Sequence, residues 1–380
     1  MIKQEVTNSR HIKLPVQLML WGKSAGRCQF EGCNKRLWEN SVTKEQVNIS
    51  QKAHIWAFSP DGPRGNEGID EEHINDLRNL ILACHECHKL IDEDKEGKKY
   101  SVPLLLKMKK DHEERVDLAA SITPNKKSHI LLYGANIGEH TSPVNYKAAT
   151  EAIFPDHYPA EHYALELGLV RSPIKDHDDG YWFFEKQTLE KNFNNTVRNR
   201  LVDGDIRHLS VFGLAPQPLL VFLGKLLSDI PEAQVYQRHR EPQTWRWQRD
   251  ELVTQFDVIE PDHIQPLVAL NISLSATIDN SRIERALGKD TSIWKLTIPH
   301  PHNDFMRTTI QLQQFRNGFR SLMDKIKSIH GHDTVLHVFP AAPVSVAIEI
   351  GRTWMPKADM AMVLYDEIKE RNGFVKAFNL

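Results

Sequence analysis

All four cysteines of the chain lie in its first quarter, as two short pairs, Cys28–Cys33 and Cys84–Cys87, and none is left over for another role. Two such pairs, separated by a stretch about fifty residues long, are how a chain builds a tetrahedral Zn²⁺ site, because each pair can donate two thiolates from one tight turn. Cys28, Cys33, Cys84 and Cys87 are therefore the predicted ligands of a structural zinc ion. A closed four-sulfur site holds a fold together without doing chemistry. The second pair runs straight into His88, in the string Asn79-Leu-Ile-Leu-Ala-Cys84-His-Glu-Cys87-His88, and the segment between the pairs carries Ala53-His54-Ile55.

At 380 residues the chain has room for two or three domains, and its 40% hydrophobic content is that of ordinary soluble protein. The formal net charge is −2, and the first 120 residues hold 19 Lys and Arg against 19 Asp and Glu. No global field draws such a chain onto nucleic acid, so any DNA contact must rest on local clusters and metal ions. No apolar run approaches a membrane span, and the N-terminus lacks a signal-peptide core. Cysteines spent on metal, with none for a disulfide framework, point to the reducing cytoplasm.

The pattern divides the chain into 1–122, a linker at 123–128, and 129–380. In the first part, Leu14–Trp21 reads as a short helix ending at Gly22. Val47–Ser50 and His54–Phe58 are β-prone, Leu80–Leu82 enters as a strand or turn, and a short helix follows Cys87. Leu104–Ala120 reads as an amphipathic helix. From His129 strands alternate with helices, which is an α/β texture. This part repeats itself: Leu209–Pro216 aligns with Leu336–Pro343 at an offset of 127, and Gly224 falls opposite Gly351. One reading is two unrelated strand–turn–helix units. The other is a duplicated Rossmann-like unit facing itself across a pseudo-two-fold axis, with a cleft at the carboxyl ends of the strands. Helices starting near Pro216 and Pro343 would point their N-terminal amides into that cleft, where a phosphate can bind.

Phosphodiester hydrolysis needs an activated water, a metal ion against the developing charge, and a hold on the leaving oxygen. A histidine such as His54 can take the proton from water near neutral pH. Asn79 can hydrogen-bond a backbone carbonyl or the base itself, and His88 can ligate a divalent cation. Over about residues 25–95 the order and spacing of Ala53-His54-Ile55, Asn79-Leu-Ile-Leu and Cys84-His-Glu-Cys87-His88 resemble the HNH (ββα-metal) endonucleases, in the subclass with flanking Cys pairs. The resemblance implies an α+β nuclease domain with His54 as general base, Asn79 as orienting residue and His88 as ligand of a catalytic Mg²⁺ or another divalent cation. Many members carry an acidic metal ligand directly before the first His, whereas here the residues are Lys52-Ala53. His73, Asn75 and Asp76 are candidates for the missing ligand, and Arg64 is a candidate phosphate contact or a solvated loop residue.

The run from Tyr236 to Trp247 mixes Arg238, His239, Arg240 and Arg246 with Tyr236, Trp245 and Trp247. Arginines pair with phosphate and aromatic rings stack on bases, so the set suits a nucleotide, unless it is an exposed sheet edge with buried tryptophans. Together with Phe212–Gly224 and Phe339–Arg352, in that order, it resembles the SAVED domain, a fused pair of CARF-like halves. An HNH domain followed by SAVED resembles the effector nucleases of bacterial CBASS anti-phage systems. What this implies is a cytoplasmic enzyme that binds a cyclic dinucleotide such as a cyclic GMP–AMP isomer. It would then pass from a homo-oligomer, a dimer at rest, to a higher-order assembly and degrade double-stranded DNA without sequence preference. Trp245 and Trp247 would stack on bases, Arg238, Arg240 and Arg352 would contact phosphates, and the Pro216 and Pro343 turns would floor the cleft. Two other readings stand beside it: a modification-dependent restriction endonuclease, and a zinc-dependent DNA-binding sensor without catalysis.

Overall fold

The computed structural model describes residues 11–65, 68–135, 144–168, 174–228, 230, 232–371 and 373–380. Two compact units, Met1–Thr123 and Pro124–Leu380, each carry their own apolar core. Among the described residues no helix is long and apolar enough to cross a membrane.

In the first unit α1 (Leu14–Lys23) opens on Pro15 in its first turn and buries Leu20. β1 (Ser50–His54) and β2 (Leu80–Cys84) form an antiparallel hairpin with Ser50 opposite Cys84 and His54 opposite Leu80. β2 is buried along its whole length, because its alternating side chains serve two cores. Leu80, Leu82 and Cys84 join Leu20, Cys28 and Leu37, whereas Ile81 joins Ile55, Ile91 and Leu105. α2 (His85–Glu93) follows β2 without a loop, and α3 (Val102–Ala120) carries Pro103 in its first turn. The segment His54–Phe58 is not a strand, since β1 ends at His54 and the chain turns there.

The second unit holds two sheets. The first is parallel, ordered β4 (Tyr158–Pro159), β3 (Lys127–Gly134), β6 (Leu209–Leu214), β7 (Ala233–Val235), with β5 (Leu165–Glu166) also on β3. α4 (Tyr146–Ile153) follows β3, and α5 (Tyr181–Phe193) runs through a π-helical turn into α6 (Asn199–Val202) before β6. The segment 123–128 is not a linker along its full length. Pro124–Lys126 forms a 3₁₀ turn and β3 already starts at Lys127. Ser128 is buried, its hydroxyl within 2.8 Å of both the Ser210 hydroxyl and Nδ1 of His208. His208 stacks on His157 with ring centroids 4.0 Å apart. Burial, with the neighbouring His157, lowers the pKa of His208 to about 4. A histidine so depressed binds fewer protons folded than unfolded, so its share of stability is full above about pH 6.5 and is lost as pH falls toward 4. Denaturant midpoints of the second unit should fall across that window, and His208→Asn should flatten the fall.

α7 (Gln217–Leu226) links β6 to β7. The second sheet is ordered β13 (Gly373–Asn379), β12 (Met362–Ile368), β11 (Leu336–Ala341), β9 (Leu267–Ser273), β10 (Thr291–Thr297), β8 (Asp257–Ile259). Its four inner strands are parallel and its two edges antiparallel. α8 (Asn280–Leu287) connects β9 to β10, α9 (Thr309–His330) connects β10 to β11 and is held by a Thr308–Gln311 capping box, and α10 (Val344–Thr353) connects β11 to β12. The sequence repeat is thus β6–α7–β7 set against β11–α10–β12.

α7 and α10 pack directly on each other, and the contact is reciprocal. A Cβ added at Gly224 would strike the Ile348 carbonyl, and one added at Gly351 would strike the Val221 carbonyl. Those partners are themselves related by the offset of 127, so the glycine pair marks the internal two-fold. Gly351→Ala should destabilise the second unit by about 2–4 kcal/mol, because backbone cannot give way as a side chain does. Gly318→Ala, in α9 with nothing near its Cβ position, should instead be neutral or stabilising by up to about 1 kcal/mol in the same melt.

Candidate functional sites

The four cysteine sulfurs of the first unit gather with every pair within 4.8 Å, and Cys33 and Cys84 sulfurs lie 3.9 Å apart. The turn after α1 supplies Cys28 and Cys33, and the β2–α2 junction supplies Cys84 and Cys87. Burial pushes the Cys28 thiol up to about 12, and burial with the neighbouring Cys28 charge pushes Cys87 up as well. Burial also acts upward on Cys84, but hydrogen bonds from Cys87 and the other thiols outweigh it and leave Cys84 lowered. Four thiols, three of them buried, cannot all ionise beside one another unless a cation sits among them. The Cys84 amide donates to Cys28 Sγ at 3.3 Å, the kind of second contact that orients a sulfur ligand. The donor set fits one tetrahedral ion with Zn–S bonds of about 2.3 Å.

His54 stands at the end of β1, half-buried, its Nε2 2.9 Å from Asn75 Oδ1 and its ring edge-on to Phe58. Asn79 is 1% exposed and does not bond His54. Its Oδ1 accepts from the Trp56 amide at 2.7 Å, and its Nδ2 donates to the carbonyls of Trp56 at 3.1 Å and Ile74 at 2.8 Å. It thereby clamps the loop after His54 against the residue before Asn75. Asn75, a weak metal-ligand candidate in the sequence, is the side chain on the histidine itself. His88 lies in the first turns of α2, its Nδ1 3.2 Å from Asp92 Oδ2 one turn on. Arg64 is no free phosphate grip: Nε donates to Ile55 O at 2.7 Å, and its other nitrogens to Ile91 O at 3.3 Å and His54 O at 3.4 Å. That fork ties the strand end bearing His54 to the helix bearing His88. His73 pairs with Asp76 at 2.7 Å. Apart from the cysteines, no three His, Asp or Glu donors converge among the described residues.

In the second unit the candidate ligand residues do not form one site. Trp245 is 2% exposed, edge-on to Phe212 and covered by Arg238 at 5.9 Å. Trp247 is buried and donates its indole N–H to Val235 O at 3.0 Å. Both rings are buried, so neither tryptophan is a stacking platform for a base. Arg240 is exposed at the surface, its amide bonded to Asp304. Pro216 and Pro343 do cap α7 and α10. The start of α10 is closed to an anion, however, because the buried Gln237 Oε1 accepts from both the Ser345 amide at 3.1 Å and its hydroxyl at 2.7 Å. Gln217 reaches across from α7 to the Ala342 carbonyl at 2.9 Å. Arg352 sits at the opposite end of α10 from Pro343, about 13 Å away at 1.5 Å per residue. Its Nη1 bonds the buried Glu349 carboxylate at 2.8 Å, which Arg316 also approaches at 3.5 Å.

Residues 189–380 match the family profile described as the SMODS-associated and fused to various effectors sensor domain, SAVED. Among solved structures, the Acinetobacter baumannii Cap4 SAVED/CARF-domain containing receptor with the cyclic trinucleotide 2′3′3′-cAAA is 14% identical, with a TM-score of 0.41 over 77% of this chain and 61% of that one. The same receptor with 3′3′3′-cAAA gives 15% identity and a TM-score of 0.44 over 81% and 64%. The chain spans less than two thirds of the length of these receptors. No curated protein matches the chain. With half of its length matched by that profile, the chain belongs to the SAVED family of sensor-domain proteins.

Proposed function

We propose that the chain is a CBASS-type effector in which a SAVED sensor that binds a cyclic oligonucleotide controls an N-terminal HNH DNA endonuclease. The family match over residues 189–380, on a chain whose residues Met1–Thr123 form a separate compact unit, carries this reading. The hairpin–helix order of that unit, with His54 at the end of β1 and His88 on α2, supports the nuclease half. So does the four-cysteine cluster, which would hold a structural Zn²⁺.

In this reading His54 accepts the proton of the attacking water while Asn75 fixes its ring and Asn79 fixes the loop beneath it. The water oxygen forms the new bond to phosphorus as the bond to the leaving sugar oxygen breaks. A divalent cation such as Mg²⁺ would neutralise charge on the phosphate. Mg²⁺ is commonly held by one or two carboxylates, waters and substrate phosphates, so His88 with Asp92 and the DNA can suffice without a three-ligand protein cage. The near-neutral charge of residues 1–120 implies that one copy holds duplex DNA weakly, so several copies acting together bind it better. A ligand drives such assembly only by binding the assembled state more tightly than the resting one, a dimer in this reading.

The test is plasmid cleavage by the full chain with Mg²⁺ and a panel of cyclic di- and trinucleotides, with sedimentation run in parallel. Cleavage and a rise in mass are expected with one ligand, a cyclic GMP–AMP isomer first among them. Equal cleavage with and without every ligand would overturn the sensor control. Cutting confined to modified DNA would favour the restriction-enzyme reading. No cutting under any metal or ligand would favour a sensor without catalysis.

A further inference from the structure

Carbonyl oxygens at the end of a strand or a helix find no partner within their own element and must be met from elsewhere. In the first unit one side chain meets two such ends, that of β1, which stops at His54, and the last turn of α2, which stops at Glu93. Arg64 donates from Nε to Ile55 O at 2.7 Å, and from its two terminal nitrogens to Ile91 O at 3.3 Å and His54 O at 3.4 Å.

The backbone that delivers this side chain is strained. Arg64 has a φ of 72°, in the left-handed region that a residue with a Cβ enters only at a cost. Gly97, at a φ of 65°, lies so close that a Cβ there would meet Arg64 Cγ at 2.7 Å, so the arginine stem is backed by main chain. Burial lowers the guanidinium pKa, and the Asp92 and Asp94 carboxylates oppose that shift. A strained residue that persists points to something its surroundings hold it for.

The two ends that Arg64 joins carry the two histidines of the proposed reaction. His54 supplies one of the three carbonyls itself. Ile91 lies three residues after His88 and directly before Asp92, whose carboxylate is 3.2 Å from His88 Nδ1. The Asn75 contact orients the His54 ring, whereas the Arg64 fork sets where the backbone beneath that ring stands relative to α2.

We propose that Arg64 is a positioning residue of the nuclease site, a three-way clamp that fixes the spacing between His54 on β1 and His88 on α2. This rests on the nuclease reading above and adds the part that sets the geometry of its site. A lysine ammonium is a single point and cannot reproduce a planar fork that reaches three carbonyls on two elements. A reacting group displaced by about 1 Å can lose about a hundredfold in rate.

The experiment is single-turnover plasmid cleavage by the full chain at saturating DNA, Mg²⁺ and activating ligand, with Arg64→Lys and Arg64→Gly beside the wild type. Glycine removes the fork while relaxing the left-handed backbone. Both variants are expected to cut about 10–100-fold more slowly, with half-saturating DNA within twofold and the first unit still folded by circular dichroism at the assay temperature. Methylguanidinium is expected to restore part of the rate to Arg64→Gly and none to Arg64→Lys, whose side chain fills the space. In spectra of ¹³C-histidine-labelled protein, the His54 signal, assigned by its loss in His54→Ala, should shift or broaden in both variants while that of His208 stays in place. Cutting by Arg64→Lys within twofold of a cutting wild type overturns the clamp. So does a slow variant whose His54 signal is unmoved, or a loss that merely tracks the unfolded fraction. A rise in half-saturating DNA at an unchanged saturated rate also overturns it and makes Arg64 a phosphate contact. A wild type that cuts no DNA under any ligand overturns the nuclease reading and the clamp with it.

Discussion

His54→Ala should lower ligand-activated plasmid cleavage by about 10²–10⁴-fold, the usual loss when a general base is removed, while ligand binding by the second unit is unchanged. The effect is large because, in the proposed mechanism, His54 alone accepts the proton of the attacking water. Asn75→Ala should cost less, since a ring that has lost its 2.9 Å contact still visits the productive orientation part of the time. Asn79→Ala should act differently, through stability, because it strips three backbone groups of the partner that holds the loop. Single-turnover cleavage with ligand saturating, beside thermal melts, separates these outcomes. Undiminished cutting by His54→Ala would show that another group takes the proton.

If the cysteine cluster holds the proposed Zn²⁺, removing that ion should unfold the first unit and leave the second one standing. Structural zinc sites contribute about 10–16 kcal/mol of apparent binding energy in small domains, more than a unit of this size has to spare. The sulfurs join α1, β2 and α2, and Cys28, Cys84 and Cys87 are themselves part of the first core. Cys87→Ser, or a strong chelator added to the wild type, should therefore abolish cleavage and expose residues up to Thr123 to protease. The fragment from Pro124 onward should resist, having its own core and its own sheets. Zinc content by mass spectrometry should be one ion per chain. A purified protein with no metal and an unaltered melt would remove the zinc and leave the cluster as four packed thiols.

Much of the architecture was legible because it is periodic or local. The strand–turn–helix repeat, the break near residue 123 and the helix closing the first unit all appear as patterns in adjacent residues. The two cysteine pairs lie in separate turns, and their spacing sufficed to expect that they meet. The ligand residues were legible only as a composition. Arg238, Trp245 and Trp247 looked like a nucleotide platform, yet hydrophobic burial took both rings into the core, where the Trp247 indole finds a carbonyl partner. Nothing in the local string says whether an aromatic ring faces a ligand or a neighbouring strand.

By itself the sequence determined which residues could do chemistry: four sulfurs in two pairs, His54 and His88 in order around Asn79, and a duplicated sensor with its glycines at matching positions. These follow from residue type and spacing along the chain. Only the tertiary structure decided which of them are free to act. It placed Asn75 rather than Asn79 on His54, closed the start of α10 with Gln237 and neutralised Arg352 with Glu349. It also set Arg64 across the ends of β1 and α2. The physical reason is that a side chain's availability depends on which partners packing brings within hydrogen-bond reach, and those partners are distant in sequence.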